Sequence, residues 1–391
     1  MEAVRSKGRA AARLGILFAA ALAGAGGSLL GVCGPFTDTA NDSFCSFVLE
    51  VFALGLTTGT TPTTFDPAGA VTRLQMAAFL SRTVDRTLQR GSRRAALNQY
   101  WTTQAPINLG MTSIGAASVV QSDGVDLWVA NGAYGEVVRV RGSDGTRLQT
   151  WTGAEQSQGV LVAMGRVFVA GQTGPGRLYQ VDPRQAAGAV TTLASNLGEG
   201  SKGIAFDGGR IWTTNYIGSV SIVTPTVSLP WTVTTVATGF ELGMYGALYD
   251  GSNVWVAGVQ GSKLRKLDAA ASILQTVTVG SGPVYPVFDG TNIWVPNSNS
   301  DSVSVVRAST GAVLATLTGN GLSKPWGSAF DGQRVIVTNF SGESISLWKA
   351  ADFSVLGAFL VGTSLSQPVG ACSDGVNFWI TMQASGQLAR F

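Results

Sequence analysis

Histidine is absent from the 391 residues, and cysteine occurs only three times. The first absence removes the usual general base and the commonest metal ligand, so the sequence predicts neither a metal nor a cofactor and disfavours His-based catalysis. Charged residues make up only 13% of the chain, and the formal net charge of +3 is spread thinly. The densest basic run, Arg82 to Arg94, falls in a segment without apolar periodicity. Nucleic acid is therefore excluded as an expected partner. What is present in quantity is turn-forming and strand-forming material: 51 Gly and 13 Pro stand in a background rich in Val, Thr and Ser, as closely spaced strands require.

From about residue 119 to the C-terminus one pattern recurs seven times; its clearest copies read GIAFDGGRIWTTNYIGSVSIV (203–223) and GSAFDGQRVIVTNFSGESISLW (327–348). Anchored on the Asp of its Asp-Gly pair, the copies fall at Asp123, Ala163, Asp207, Asp250, Asp289, Asp331 and Asp374, 39 to 44 residues apart. That is the length of a four-stranded propeller blade, and the fold class expected is mainly β: a seven-bladed β-propeller over 99–391. In the 327–360 copy, Gly327 to Phe330 reads as the innermost strand, Val335 to Val337 as the second, Ser344 to Leu347 as the third and Val355 to Leu360 as the fourth. The Asp belongs to a hairpin turn needing positive φ, not to an acid catalyst or a calcium site. Five residues on, a large apolar group recurs (Trp128, Phe168, Trp212, Trp255, Trp294, Ile336, Trp379), which predicts packing between blades. Eight residues on, Asn131, Asn215, Asn297 and Asn339 end the second strand; left-handed backbone with a bond to the local turn is the expected reason. The seventh copy stops at Phe391 after three strands, so the fourth must come from the N-terminal side, with residues 100–110, chiefly Tyr100 to Leu109, as donor.

The form FDG-x-x-[IV]-W-V-x-N followed by a Val-Ser-Val strand resembles the YVTN and streptogramin-lyase-like families of seven-bladed propellers. The resemblance implies fold more than activity. The lyases rely on a catalytic histidine, which this chain lacks. A carboxylate-based site on Glu199 or Glu241 is the remaining enzymatic alternative, that of a secreted lyase or hydrolase. Propellers usually bind ligands at the channel mouth, where the loops entering the innermost strands present Ser118, Gln158, Lys202, Tyr245, Val284, Trp326 and Val369, with Tyr285 adjacent. Gln158, Lys202, Tyr245, Tyr285 and Trp326 are the candidate ligand residues. Such a mouth could stack on a sugar or cradle an acidic group, and could equally be capped by its own side chains.

Before the repeats, residues 1–25 read as a secretory signal: Arg5, Lys7, Arg9 and Arg13 precede the apolar Leu14 to Leu22 and the small-residue site Ala23-Gly24-Ala25. The apolar stretch is too short to span a bilayer comfortably, although an uncleaved anchor stays open. Export makes a Cys33–Cys45 disulfide the expected reading, stabilising by about 2 to 3 kcal/mol. Cys372, in an apolar strand, reads as a buried free thiol. Residues 33–90 change to helical periodicity, with Phe44, Phe47, Val48, Val51 and Phe52 on one face and a second helix capped by Thr72-Arg73-Leu74-Gln75, whose Met76, Phe79 and Leu80 should be buried. Residues 91–98 read as a linker. Phe36-Thr37-Asp38, Gly55 to Gly59, Phe65-Asp66-Pro67 and Val71 to Ala77 together resemble an S-layer homology (SLH) module. The resemblance implies attachment to cell-envelope polysaccharide, with Arg73 at the family's glycan-binding arginine. It departs at Gln75, where Glu is usual, and in having one module where firmly anchored members carry three. Capping explains Thr72 and Gln75 by itself, leaving Arg73 open as a glycan ligand or a solvated first-turn residue. The function expected is that of a monomeric, exported envelope protein whose propeller binds glycan or protein without catalysis.

Overall fold

The computed structural model describes residues 36–39, 48, 51–52, 57–89, 110–115, 117–361 and 366–391. The chain divides into two compact units, Met1–Gly91 and Ser92–Phe391. The secretory signal, Cys33, Cys45, the 91–98 linker and Tyr100 to Leu109 all lie outside the described residues.

In the first unit, Phe36 is fully buried against Phe52 and Phe65, with ring centroids 5.3 and 5.6 Å away. Val48 completes this small core. The backbone N–H groups of Phe65 and Asp66 donate to the Asp38 carboxylate at 2.9 and 2.7 Å, and these bonds hold its pKa below the ordinary value. One long helix follows, α1 (Arg73–Gln89). It starts where the capping box places it: Thr72 N–H donates to Gln75 Oε1 at 2.8 Å and Gln75 N–H returns to Thr72 Oγ1 at 3.2 Å. The stripe expected to be buried is not. Met76 and Leu80 are 47% and 61% exposed and only Phe79 is partly covered. The cap and helix propensity are enough to form the helix, while the unit's described core is made elsewhere.

The second unit is a ring of seven four-stranded antiparallel sheets. Blades one to six are meanders over 119–152, 157–197, 201–236, 244–278, 287–318 and 325–360, and the first strand of each lies innermost, beside its neighbours' first strands. In blade six the four strands are Pro325–Phe330, Arg334–Asn339, Ser344–Lys349 and Val355–Leu360. The middle strands are covered by adjacent blades on both faces, so Arg334–Asn339 is buried at nearly every position, whereas the rim strand Val355–Leu360 is mostly exposed. Blade seven uses Pro368–Ser373, Phe378–Met382 and Gln387–Arg390 and takes its fourth strand from Gly110–Ser113, paired in the register Gly110↔Arg390 to Ser113↔Gln387. The ring is closed by a strand N-terminal to blade one, Gly110–Ser113; of the expected 100–110 segment only Gly110 is among the described residues.

The repeated Asp does more than turn the chain. Asp250 Oδ1 accepts the backbone N–H groups of Ser252 and Asn253 at 2.8 and 2.7 Å, and Oδ2 accepts the indole N–H of Trp255 at 2.7 Å. The same indole bond forms from Trp128, Trp212, Trp294 and Trp379 to Asp123, Asp207, Asp289 and Asp374. All five indoles are buried, and the carboxylate supplies the partner that a buried indole N–H requires. At Asp207 burial opposes ionisation, but bonds from Trp212, Gly209 and Arg210 outweigh it and keep the carboxyl below its ordinary pKa. The exceptions obey the same chemistry. Blade two replaces both partners together, with Ala163 and the N–H-free Phe168. In blade six, where Ile336 stands for Trp, Arg334 Nε donates to Asp331 at 2.8 Å instead. Asp250→Ala is therefore expected to cost about 2 to 3 kcal/mol, by stranding a charge-assisted donor. In a Trp255→Phe background the same substitution should cost about 1 to 2 kcal/mol less. Urea denaturation followed by circular dichroism measures the cycle, and additive effects would refute the coupling.

The repeated Asn residues are structural for a different reason from the one expected. Asn131, Asn215, Asn297 and Asn339 are fully buried within regular strands, and none has a positive φ. Asn339 Nδ2 donates to Ser344 and Ser346 at 3.1 and 2.8 Å, and Asn215 and Asn297 make the matching pairs with Ser219 and Ser221 and with Ser302 and Ser304. In blades three, five and six the Ser-x-Ser third strand is thus the partner of the Asn that ends the second, whereas Asn131 donates to the Ile114 carbonyl at 3.1 Å.

Candidate ligand site at the mouth of the central channel

Every innermost strand starts at the same end of the ring, so residues five before the anchor converge on the channel mouth. A cavity of about 320 Å³ opens there, lined by Ser118, Gln158, Lys202, Tyr285, Trp326 and Val369 among others. Four of the five candidate ligand residues thus line one cavity. The fifth, Tyr245, stands behind it, edge-on to Tyr285 and Trp326 with centroids 5.9 and 5.6 Å away. Val284 is buried and does not line the cavity.

Blade five makes the mouth asymmetric. Four residues before the anchor, five blades carry Gly (Gly159, Gly203, Gly246, Gly327 and Gly370), blade one carries Val119, and blade five carries the much larger Tyr285. Pro283 and Pro286 flank it; neither can donate to a ladder, and the innermost strand shrinks to Val287–Phe288. Tyr285 is half-buried and reaches the cavity. Burial, with a smaller effect of Tyr245, pushes its phenol pKa upward.

Lys202 supplies the charge. Its ammonium lies 4.5 Å from the ring centre of Tyr245 and 5.3 Å from that of Tyr216, a cation–π seat. Desolvation lowers its pKa from the ordinary lysine value. No carboxylate stands within ion-pairing distance of it among the described residues. Burial, again with a contribution from Tyr216, raises the pKa of Tyr245.

Three mouth residues escaped the sequence argument: Tyr216, Phe340 and Gln383. Each sits nine residues after its anchor, directly after the second strand. Trp326 packs on Phe340 at 5.9 Å and Tyr216 meets Tyr245 edge-on at 5.9 Å. The register that exposed the Asp, Trp and Asn positions would have found them had it been carried one residue beyond the Asn.

The carboxylates weighed for catalysis do not converge. Glu241 holds the buried guanidinium of Arg265 with both oxygens, and Glu199 is exposed on its loop. Cys372 is a buried free thiol whose pKa is driven up by burial and by the nearby Asp374 charge, in keeping with a packing role. In the first unit, Arg73 is exposed in the first turn of α1.

Comparison with known families and folds agrees with both units. Residues 35–77 match the S-layer homology domain, so the first unit carries a module that anchors proteins at the cell surface. No curated protein sequence matches the chain. Among solved structures, a streptogramin B lyase superposes with TM-score 0.61 at 12% identity, covering 74% of this chain and 99% of that one. A virginiamycin B lyase from Staphylococcus aureus gives TM-score 0.61 at 12% identity over 72% and 97%. The WD40 β-propeller domain of Doa1 gives TM-score 0.62 at 11% identity over 74% and 97%. Lyases and a WD40 domain match about equally well, so the likeness shows the seven-bladed propeller alone. Among the described residues no helix is long and apolar enough to cross a membrane.

Proposed function

We propose that this is an exported bacterial envelope protein, tethered to wall polysaccharide by its S-layer homology module and using the propeller mouth as a non-enzymatic binding site. The observation that carries the reading is the pairing, in one chain, of a surface-anchoring module at residues 35–77 with a cavity walled by Lys202, Tyr285 and Trp326. The basic, apolar and small-residue order of residues 1–25 supports export. A lyase or hydrolase is the second reading, prompted by the lyase folds. It would have to work through carboxylates, and Glu241 is already committed to Arg265.

Arg73 is the residue assigned to the tether. A fixed cation in the first helical turn, where the dipole also favours anions, offers an acidic glycan two favourable terms. Arg73→Ala should weaken co-sedimentation with purified envelope by about 1.5 to 3 kcal/mol, as loss of a charge-assisted pair does. The fold should persist, because the cap bonds belong to Thr72 and Gln75. Equal sedimentation of mutant and wild type at low salt would remove Arg73 from the tether.

A further inference from the structure

The channel mouth holds a cation without an anion. Lys202 is the half-buried charged group of the cavity wall, and it rests on tyrosine faces while no acidic side chain among the described residues pairs with it. Ring faces offset part of the cost of desolvating an ammonium, but a carboxylate offsets more. Elsewhere the propeller pairs comparable cations: Arg139 with Asp126, Arg166 with Asp182, Arg265 with Glu241 and Arg334 with Asp331. Lys266 and Arg390, half-buried on the indoles of Trp255 and Trp379 without a carboxylate, each donate to a backbone carbonyl, of Ala308 and Ser143. Lys202 has neither acceptor among the described residues, at the place where a ligand can reach it.

The rest of the wall narrows the chemistry. Tyr285, Trp326 and Phe340 make an apolar aromatic side suited to the C–H face of a pyranose ring. Gln158, Gln383 and Ser118 also line the cavity, and the two Gln amides make no side-chain hydrogen bond among the described residues. An aromatic acid would satisfy the rings and the cation but leave those amides unpaired once it displaced water. A sugar acid answers all three, with its ring on the aromatics, hydroxyls on the amides and carboxylate on Lys202. The volume of about 320 Å³ lies at the lower end of small-ligand sites. Resting on the proposed binding role of the mouth, we infer that its ligand is a hexuronic acid residue, free or within a glycan, whose carboxylate pairs with Lys202 while its ring lies against Trp326 and Tyr285.

Isothermal titration of the full chain with D-glucuronate, D-glucose and benzoate tests this. Wild type should bind glucuronate at least tenfold more tightly than glucose or benzoate, and 500 mM NaCl should weaken glucuronate alone. Lys202→Met, which keeps length and apolar stem, should lower glucuronate to the level of glucose; Lys202→Arg should retain most of the preference, which separates loss of charge from loss of fold. Glucuronate binding unchanged in Lys202→Met, or benzoate binding as tightly as glucuronate, would overturn the inference. Glucose and glucuronate binding equally in every variant would remove the acid selectivity and leave the mouth a binding site. If wild type binds none of the three probes and no hexuronate polymer, the inference falls. A hexuronate polymer that binds where the monosaccharide does not would place the ligand within a glycan and uphold it, provided Lys202→Met abolishes the effect.

Discussion

A chain truncated to begin at Ile114 is expected to aggregate, or to melt roughly 8 to 20 °C lower, because it loses the strand that closes the ring. Gly110–Ser113 pairs along four residues with Gln387–Arg390, and Thr112 Oγ1 adds a bond to the Gly145 carbonyl of blade one at 2.6 Å. Four to five hydrogen bonds at about 1 kcal/mol each set the scale, and a domain of this size shifts by about 2 to 4 °C per kcal/mol. Aggregation is the second expression of the same loss, since the strand Gln387–Arg390 becomes an open edge able to pair with another chain. A companion truncation that begins at Gly110 keeps the pairing and should behave as wild type. Light scattering and differential scanning fluorimetry on both proteins separate the cases. A monomeric chain from Ile114 with an unchanged melting temperature would refute closure by this strand. Loss of stability in the chain that begins at Gly110 would extend the donor into residues 100–109.

The architecture was legible in the sequence because a propeller writes the same local constraints seven times. Asp-Gly, the buried Trp and the terminal Asn each recur at a fixed offset, so period and count could be read without knowing what each residue does. Their partners were harder to read. The Asp–Trp bond joins residues five apart, yet a turn explains the Asp and packing explains the Trp, and nothing in either residue alone demands the other. The joint change to Ala163 and Phe168 in blade two is the signal that they are one unit. The channel mouth was half legible. Lys202, Trp326 and Tyr285 fall at predictable offsets, but Tyr216, Phe340 and Gln383 arrive from a second loop whose nearness depends on how the blades are arranged around the axis. The exposure of Met76 and Leu80 could not be read at all, because an apolar stripe reports what a helix can bury and not what is available to cover it.

The largest single-residue effect should come from Gly327→Val. Gly327 lies on the innermost strand of blade six, and a Cβ there would enter the van der Waals shell of the Val369 carbonyl oxygen on blade seven. That joint is also clasped by hydrogen bonds: Gly327 N–H donates to Thr338 Oγ1 at 2.8 Å, and Thr338 Oγ1 donates onward to the Val369 carbonyl at 2.9 Å. Thr381 makes the equivalent clasp from Gly370 to the Ser118 carbonyl of blade one, at 2.8 and 3.3 Å. A side chain at Gly327 must push blade seven away and break the clasp. Because the obstacle is backbone rather than the end of a flexible side chain, little relaxation is available, and the cost should be at least about 4 kcal/mol. Two blades show what tolerating a side chain there takes. Blade one carries Val119, where the first strand pairs with the second without the register shift that blade six has between Pro325 and Ser328. Blade five carries Tyr285, where the innermost strand is reduced to Val287–Phe288. Gly251→Ala is the matched control. Gly251 has φ +93° but open space around its Cβ position, so only backbone preference is lost, about 1 kcal/mol. Urea midpoints of the two variants measure the difference. Similar losses in both would show that the inner-strand glycines serve conformation alone and that the blades do not depend on their close approach.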